Sequence, residues 1–369
     1  MEGNENIPCV ELRNLVKRFA DVIAVDHLNL EAKHGEVFSL LGPSGCGKTT
    51  TLRMIAGLET MDAGEILIEG RVVNDVPPYR RDCNLVFQNL ALFPHMTVEE
   101  NISYGLERQG VAKDEIRKRV GEMLELVQLA GMEKRYPAQL SGGQQQRIAL
   151  VRSLVLKPKI LLLDEPLAAL DRKLRKDMQG ELKRIQHEVG ITFFYVTHDQ
   201  KVALAISDTI AVMQAGKLEQ VGVPEEIYGA PETRFVADFM GVANIFLGEV
   251  TAKNGGEIQL ETKSGLRIIA IINKELISND IVGICVHPER VRVLPSGADI
   301  KADNQFGGRI VDMVYQGNFV EMKICVSNTG TDVTITALLD ARLIEKHEHC
   351  VGKKVTVQWN PESCSTLQG

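Results

Sequence analysis

Gly42-Pro43-Ser44-Gly45-Cys46-Gly47-Lys48-Thr49 fits the spacing G-x-x-x-x-G-K-[ST] and follows directly on the apolar run Glu36 to Leu41. Glycines at these positions let the backbone wrap closely around phosphate oxygens. The loop N–H groups, and the start of a helix read from Lys48 to Gly57, then face the anion. In this arrangement Lys48 neutralises the β- and γ-phosphates and Thr49 holds Mg2+, with Thr50 beside them in the nucleotide-binding set. Cys46 reads as a tolerated filler of the loop, not as a reactive thiol. A strand before the loop and a helix after it set the reading of everything around them.

Beyond the loop, Glu65-Ile66-Leu67-Ile68 and Leu85-Val86-Phe87 are further short strands. From Lys113 to Leu129 the apolar residues Ile116, Val120, Met123 and Val127 recur on one helical face, with Arg117, Lys118, Glu122 and Glu125 pointing away. Ile160 to Leu163 is a continuous apolar run, as expected of a parallel strand buried on both faces. A helix from Arg172 to Val189 stops at Gly190, and the β-branched and aromatic stretch Thr192 to Val196 is the next strand. This alternation predicts a layered α/β domain. After Met240 helical periodicity disappears, and short strand-like runs are separated by turns at Asn254-Gly255-Gly256, Lys263-Ser264-Gly265, Pro295-Ser296-Gly297 and Asn328-Thr329-Gly330. Lys354 to Trp359 puts Val355, Val357 and Trp359 on one face. The chain therefore divides into an α/β domain at 1–240 and a small all-β barrel at 241–369 that carries no catalytic motif.

The bulk composition agrees. A chain of 369 residues is ample for two or three domains, and 44% apolar with 25% charged residues is ordinary for a soluble globular protein. A net charge of −7 argues against nucleic-acid binding through a broad basic surface. Seven cysteines without a C-x-x-C pair read as reduced thiols in a cytosol, and their spacing carries no zinc signature. Met1 to Pro8 lacks the form of a signal peptide, and no apolar run approaches the ~18 residues needed to cross a bilayer. Action at a membrane would require other subunits.

Four further places carry chemistry. Asp164 ends the apolar strand, placed to reach the Mg2+ shell through water, and Glu165 follows it; a carboxylate beside an attacking water acts as general base, a role worth roughly 10²–10⁴-fold in rate. Gln88 follows the strand Leu85 to Phe87, and His198 ends another within Tyr195-Val196-Thr197-His198-Asp199. Taken singly, each reads as a structural polar residue. Leu140-Ser141-Gly142-Gly143-Gln144 precedes a helix read from Gln144 to Leu156 and offers a second helix N-terminus for phosphate. Phe19, in Lys17-Arg18-Phe19, is either a stacking face for adenine or a core phenylalanine.

In this order the phosphate loop, Gln88, Ser141-Gly142-Gly143, Asp164-Glu165 and His198 resemble the ATP-binding cassette (ABC) ATPases, whose fold is that of the P-loop NTPases. Leu163-Asp164-Glu165-Pro166 and Leu170-Asp171 are similar to the family's Walker B and D-loop pattern. The resemblance implies that Gln88 reaches the metal and the nucleophilic water, that His198 contacts the γ-phosphate, and that Phe19 stacks on adenine. It also implies that Ser141, Gly142, Gly143 and Gln144 serve ATP held by the opposite copy, so that two ATP molecules are sandwiched in a homodimer.

Residues 241–369 resemble the TOBE-type, OB-like barrel that follows this domain in importers of polyamines, maltose and iron. Ala91-Leu92-Phe93-Pro94-His95-Met96-Thr97-Val98 and Val286-His287-Pro288-Glu289-Arg290-Val291 are typical of that subgroup, although His287 stands where arginine is commoner. Val76-Pro77-Pro78-Tyr79-Arg80-Arg81, Arg234-Phe235-Val236-Ala237-Asp238-Phe239-Met240 and Ile245-Phe246 resemble the putrescine and spermidine importers most. Two departures are Asn89-Leu90, where Ser-Tyr is usual, and Ala168, where the D-loop has serine.

The resemblance implies an ATP- and Mg2+-dependent importer ATPase. It would be a homodimer at the cytoplasmic face of the inner membrane, docked under two permease subunits and fed indirectly by a solute-binding protein. Polyamine is the preferred cargo, with ferric iron, a sugar or another small organic solute as alternatives. A soluble, non-transport cassette ATPase is the rival reading, and a mainly regulatory, ligand-sensing role for the barrel is a third.

Overall fold

The computed structural model describes residues 7–242, 244–254, 256–272, 281–296, 302–328, 331–344 and 349–368. The turns expected at Gly255, Gly297 and Thr329-Gly330, and residues 1–6, lie outside them. The chain forms two compact units, Met1–Pro224 and Glu225–Gly369.

In the first unit, β1 (Val10–Phe19) and β2 (Val22–Ala32) form a hairpin that pairs with β4 (Ala63–Ile68) and the short β5 (Arg71–Val72), giving an antiparallel sheet in the order β2-β1-β4-β5. The second sheet contains β3 (Val37–Leu41), β6 (Cys83–Val86), β7 (Ile160–Asp164), β8 (Thr192–Thr197), β9 (Thr209–Gln214) and β10 (Lys217–Gly222). Its order is β10-β9-β3-β8-β7-β6; five strands are parallel and β10 is an antiparallel edge.

Helices α1 (Lys48–Ile55), α2 (Val98–Arg108), α3 (Lys113–Leu126), α4 (Gly142–Leu154), α5 (Arg172–Val189) and α6 (Gln200–Ile206) complete the unit. Every residue of β3, β7 and β8 is buried, which explains their unbroken apolar sequences. Alternate side chains go to opposite faces. Leu161, Leu163, Phe193 and Tyr195 join a core with α2 to α5, whereas Ile160, Leu162, Phe194 and Val196 join one with α1 and the antiparallel sheet. The parallel sheet is thus the middle of three layers.

The loop before α2 is organised by Asn101. This residue is fully buried; its side-chain amide donates to the carbonyls of Phe93, Met96 and Thr97, at 3.1, 3.2 and 2.9 Å, and accepts from Phe93 N–H at 2.8 Å. Thr97 and Glu100 cap the helix reciprocally.

The boundary between the units falls at the first residue of the short helix α7 (Pro224–Gly229), which is followed in the second unit by α8 (Arg234–Phe239). The second unit continues as β11 (Asn244–Asn254), β12 (Glu257–Thr262), β13 (Arg267–Ile271), β14 (Ile281–Val286), β15 (Arg292–Pro295), β16 (Asn304–Tyr315), β17 (Phe319–Asn328), β18 (Thr331–Asp340), β19 (Lys354–Trp359) and β20 (Cys364–Gln368). Two five-stranded antiparallel sheets, β13-β12-β11-β14-β20 and β15-β19-β16-β17-β18, enclose one apolar core. Trp359 packs there between Phe246 and Phe306, with ring centroids 5.8 and 5.3 Å away.

Two buried asparagines clasp the sheets together. Asn304 exchanges two hydrogen bonds with the backbone of Ile269, and Asn244 does the same with Thr336. Val355, Val357 and Trp359 share the face of β19 that enters the apolar core, as expected of Lys354 to Trp359. Thr356 and Gln358, on the opposite face, are buried as well, and β19 pairs with β15 on one side and β16 on the other.

His287 is buried in this unit, its Nε2 2.6 Å from the Tyr228 carbonyl and its ring 4.2 Å from that of Tyr228. Burial pulls its pKa below the usual histidine value, against the raising effects of the Tyr228 carbonyl and Glu289. As pH falls through the ordinary histidine range near 6.5, the unfolded chain takes up a proton that the folded chain resists, so stability is lost on acidification. The melting temperature followed by fluorescence of the single tryptophan should fall between about pH 7 and 5. The fall should be smaller in His287→Gln, whose amide can still donate to Tyr228; equal falls in both proteins would remove His287 as its source.

Candidate functional site

In an open parallel sheet, ligands bind beyond the carboxyl ends of the strands. β3 ends in the Gly42–Thr49 loop, β6 in Gln88, β7 in Asp164-Glu165 and β8 in His198, so the topology brings all four to one edge. The loop is close-fitted. A Cβ at Gly42 would lie 2.3 Å from the Met213 carbonyl oxygen, and one at Gly47 2.2 Å from that of Ala24. Gly47, at φ 107°, also starts α1. Gly45 has φ 81° but faces open space.

The Lys48 side chain is buried along the loop, and its ammonium donates to the carbonyls of Gly42 and Pro43 at 2.9 Å each. Ser44 and Gly45 are the exposed part of the loop, with Thr49 and Thr50 half-buried at the start of α1. Burial pushes the Cys46 thiol above its ordinary range, opposed by nearby Lys48, so the group is a protonated filler near neutral pH.

The Thr49 hydroxyl donates to Asp164 Oδ1 at 3.0 Å, setting two hard oxygen atoms, of the kind that could hold a magnesium ion, side by side at the head of α1. Burial raises the Asp164 carboxyl above the usual range and the Thr49 hydrogen bond opposes this. Asp164 is paired in register with Val196, so the residues just past these two strands meet. His198 Nδ1 lies 2.7 Å from Glu165 Oε1. Glu165 itself sits at φ 45°, a left-handed conformation uncommon outside glycine, and its N–H donates to the Val196 carbonyl at 3.0 Å. Strain of this kind persists only where the surroundings over-determine it. Gln88 is exposed just past β6.

Ser141 caps α4: its hydroxyl accepts from Gln144 N–H at 3.4 Å, and the Gln144 side chain accepts from Ser141 N–H at 2.9 Å. Gly142 is exposed, and Gly143 packs so closely on Leu174 that a Cβ would meet it at 2.8 Å. The helix therefore begins two residues earlier than the sequence suggested, at Gly142 instead of Gln144. None of the hydrogen bonds of Ser141 to Gln144 reaches the phosphate loop. Phe19 is 46% exposed at the end of β1, with the Lys17 ammonium 4.9 Å from its ring centroid, so it is a surface aromatic and not a core one.

Two arginines escaped the sequence reading. Arg152, on α4, donates to the carbonyls of Ala91 and Leu90 at 2.7 and 3.0 Å, holding the segment after Gln88 where both residues have positive φ. Arg175, on α5, donates to Asp199 Oδ2 and to the Leu170 carbonyl at 3.0 Å each. It thereby ties the segment after Glu165 to the one after His198. A cation within an otherwise apolar helical run, as in Leu150-Val151-Arg152-Ser153-Leu154, was the only available signal for the first.

The loop geometry separates its glycines. Gly45→Ala adds only left-handed strain, about 1 kcal/mol, whereas Gly47→Ala drives a methyl into backbone. Titration with a fluorescent ATP analogue should show near-normal binding for the first and severe loss for the second; equal effects would contradict the fit described above.

Residues 25–168 match the ABC transporter family, and residues 284–367 match the TOBE domain. The spermidine/putrescine import ATP-binding protein PotA of Rubrobacter xylanophilus is 49% identical over 364 residues, 98% of this chain and 94% of its own length. The protein of the same name from Thermobifida fusca is 46% identical, covering 100% of this chain and 96% of its own. Among solved structures, cbiO1 from Clostridium perfringens, part of an ABC transporter complex, aligns with TM-score 0.57 and 30% identity, covering 60% of this chain and 91% of that one. A dimeric ATP-binding cassette in a post-hydrolysis state, bound to ADP and Pi, aligns with TM-score 0.52 and 34% identity over 58% of this chain and 98% of its own. With a phosphate loop, an acidic strand end and a capped Ser-Gly-Gly helix on this fold, the chain belongs to the ABC transporter family of ATP-binding proteins and carries a C-terminal TOBE domain.

Proposed function

We propose that this protein is the ATP-hydrolysing subunit of an importer for polyamines, spermidine and putrescine. The observation that carries the cargo assignment is identity near one half, over almost the full length of both chains, to proteins named for that import. The acidic balance and single cassette favour this reading over a soluble cassette ATPase.

In the proposed mechanism, the N–H groups of Ser44, Gly45 and Gly47 face the phosphates, Gly42, Pro43 and Cys46 shape the loop around them, and Phe19 stacks on the base. Lys48 shifts from the loop carbonyls toward the β- and γ-phosphates, and Thr50 adds to the anion site at the head of α1. Thr49 and Asp164, already within hydrogen-bond distance, fit a Mg2+ that keeps several waters, with Gln88 completing the metal side. Bound there, the ion would neutralise charge developing on the phosphates.

Glu165 accepts the proton of the attacking water, and its contact with His198 fixes which carboxylate oxygen faces outward. To contact the γ-phosphate, an acceptor, the His198 ring must present an N–H, either from Nε2 of the imidazolium or from Nδ1 once it leaves Glu165. Ser141, Gly142, Gly143 and Gln144 serve the nucleotide of a second copy. ATP then favours the closed homodimer because only that state supplies both half-sites. No helix among the described residues is long and apolar enough to cross a membrane. The proposed position is peripheral, on the cytoplasmic face of the inner membrane beneath two permease subunits that receive cargo from a solute-binding protein.

Lys48→Ala should lose nucleotide binding or turnover, and normal hydrolysis by that variant would defeat the loop assignment. Glu165→Gln should bind ATP, hydrolyse it slower by about 10²-fold or more, and elute as a dimer in size-exclusion chromatography with ATP; an ATP-bound monomer would count against the sandwich. Uptake of labelled putrescine and spermidine, in cells lacking the native gene but retaining the permease, should be restored by wild type and not by Glu165→Gln. Failure of both would leave the ATPase in place and remove polyamine as the cargo.

A further inference from the structure

At the other end of β3 from the phosphate loop, three side chains distant in sequence converge. Cys9 lies just before β1, His34 in the turn from β2 to β3, and Glu69 just after β4. Cys9 Sγ is 3.4 Å from Glu69 Oε1, and His34 Nδ1 is 3.3 Å from the same oxygen. All three donor atoms lie within 4.8 Å of one another. Among the described residues this is the one such group of mixed sulfur, nitrogen and oxygen donors. Its backbone is fixed as well: Cys9 N–H donates to the Ala32 carbonyl at 2.8 Å and Glu69 N–H to the Cys9 carbonyl at 3.0 Å.

We propose that Cys9, His34 and Glu69 form a binding site for a divalent transition ion of the zinc type, with water as fourth ligand. The separations carry this. Zinc bonds of about 2.0–2.3 Å in a tetrahedron set ligand atoms roughly 3.4–3.6 Å apart, close to the two distances observed. A thiolate with imidazole and carboxylate selects zinc-like ions over the hard magnesium ion, which favours all-oxygen sites. Cys9 is fully buried, whereas the His34 and Glu69 side chains are 49% and 27% exposed, so an ion enters from the solvent side and meets the sulfur last.

Binding displaces the thiol proton of Cys9 to solvent and forms the metal–sulfur bond, while the His34 and Glu69 lone pairs complete the protein's share. The site lies on the order of 16 Å from the phosphate loop, the length of five strand residues, so its role is to clip the ends of β1 and β4 to the turn leading from β2 into β3 and not to assist hydrolysis.

The test uses the reduced, full-length protein and cobalt(II) alone, without nucleotide. One equivalent should produce a thiolate-to-metal charge-transfer band and the intense visible bands of a tetrahedral ion, both abolished by added zinc. Cys9→Ser should lose the charge-transfer band, and His34→Ala and Glu69→Gln should each weaken binding about tenfold or more. Absence of the band in wild type, or its survival in Cys9→Ser, would overturn the assignment. Should Cys9→Ser fail to fold, the half-exposed His34 provides the deciding variant: undiminished affinity in His34→Ala would also overturn it. These readouts do not depend on ATPase activity or on the cargo.

Discussion

The register between β7 and β8 is the constraint on which the site depends. Opposite pairing of Asp164 and Val196 leaves Glu165 and His198 as the first free side chains beyond two adjacent strands, and their 2.7 Å contact follows. A slip of one residue would turn each strand's apolar set to the wrong layer and separate the pair. Both faces of these strands are packed, one against α2 to α5 and the other against α1 and the antiparallel sheet, so the core itself forbids the slip. The packing that holds the fold therefore also aligns the carboxylate and the imidazole.

A second level of precision comes from backbone set against backbone. Gly42 and Gly47 lie so near the carbonyls of Met213 and Ala24 that no side chain fits. Around the loop, cations act largely on carbonyl groups: Lys48 on Gly42 and Pro43, Arg152 on Leu90 and Ala91, and Arg175 on Leu170 as well as on the Asp199 carboxylate. Strained segments at Glu165, Leu90 and Ala91 persist in this setting because neighbouring hydrogen bonds leave the chain no other path.

How much of this was legible in the amino-acid sequence depended on distance along the chain. The phosphate loop, Asp164-Glu165 and the Ser-Gly-Gly turn declare themselves because each requirement falls within a few consecutive residues. Strand Ile160 to Asp164 and helix Arg172 to Val189 show their environment through unbroken or periodic apolarity. The antiparallel sheet does not, since bulges and positive-φ residues such as Asn14 and His27 break the alternation of β1 and β2. Asn101, Arg152 and Arg175 were missed because most of their partners are backbone groups, which every residue possesses. Phe19 could be core or surface from sequence; exposure decided it. The cysteine count spoke against zinc by spacing alone, whereas Cys9, His34 and Glu69 are neighbours only once β1 has paired with β2 and β4.

Arg152 holds the segment after Gln88 through its main chain. A segment secured in this way keeps its shape whatever side chains it displays, so form and lettering can drift apart. Asn89-Leu90 illustrates the freedom: an unusual pair sits on a path drawn by an arginine from another helix. One scaffold can in this manner present different outer faces to different membrane neighbours while the machinery beneath stays unaltered, which gives a lineage room to change allegiance without rebuilding its engine.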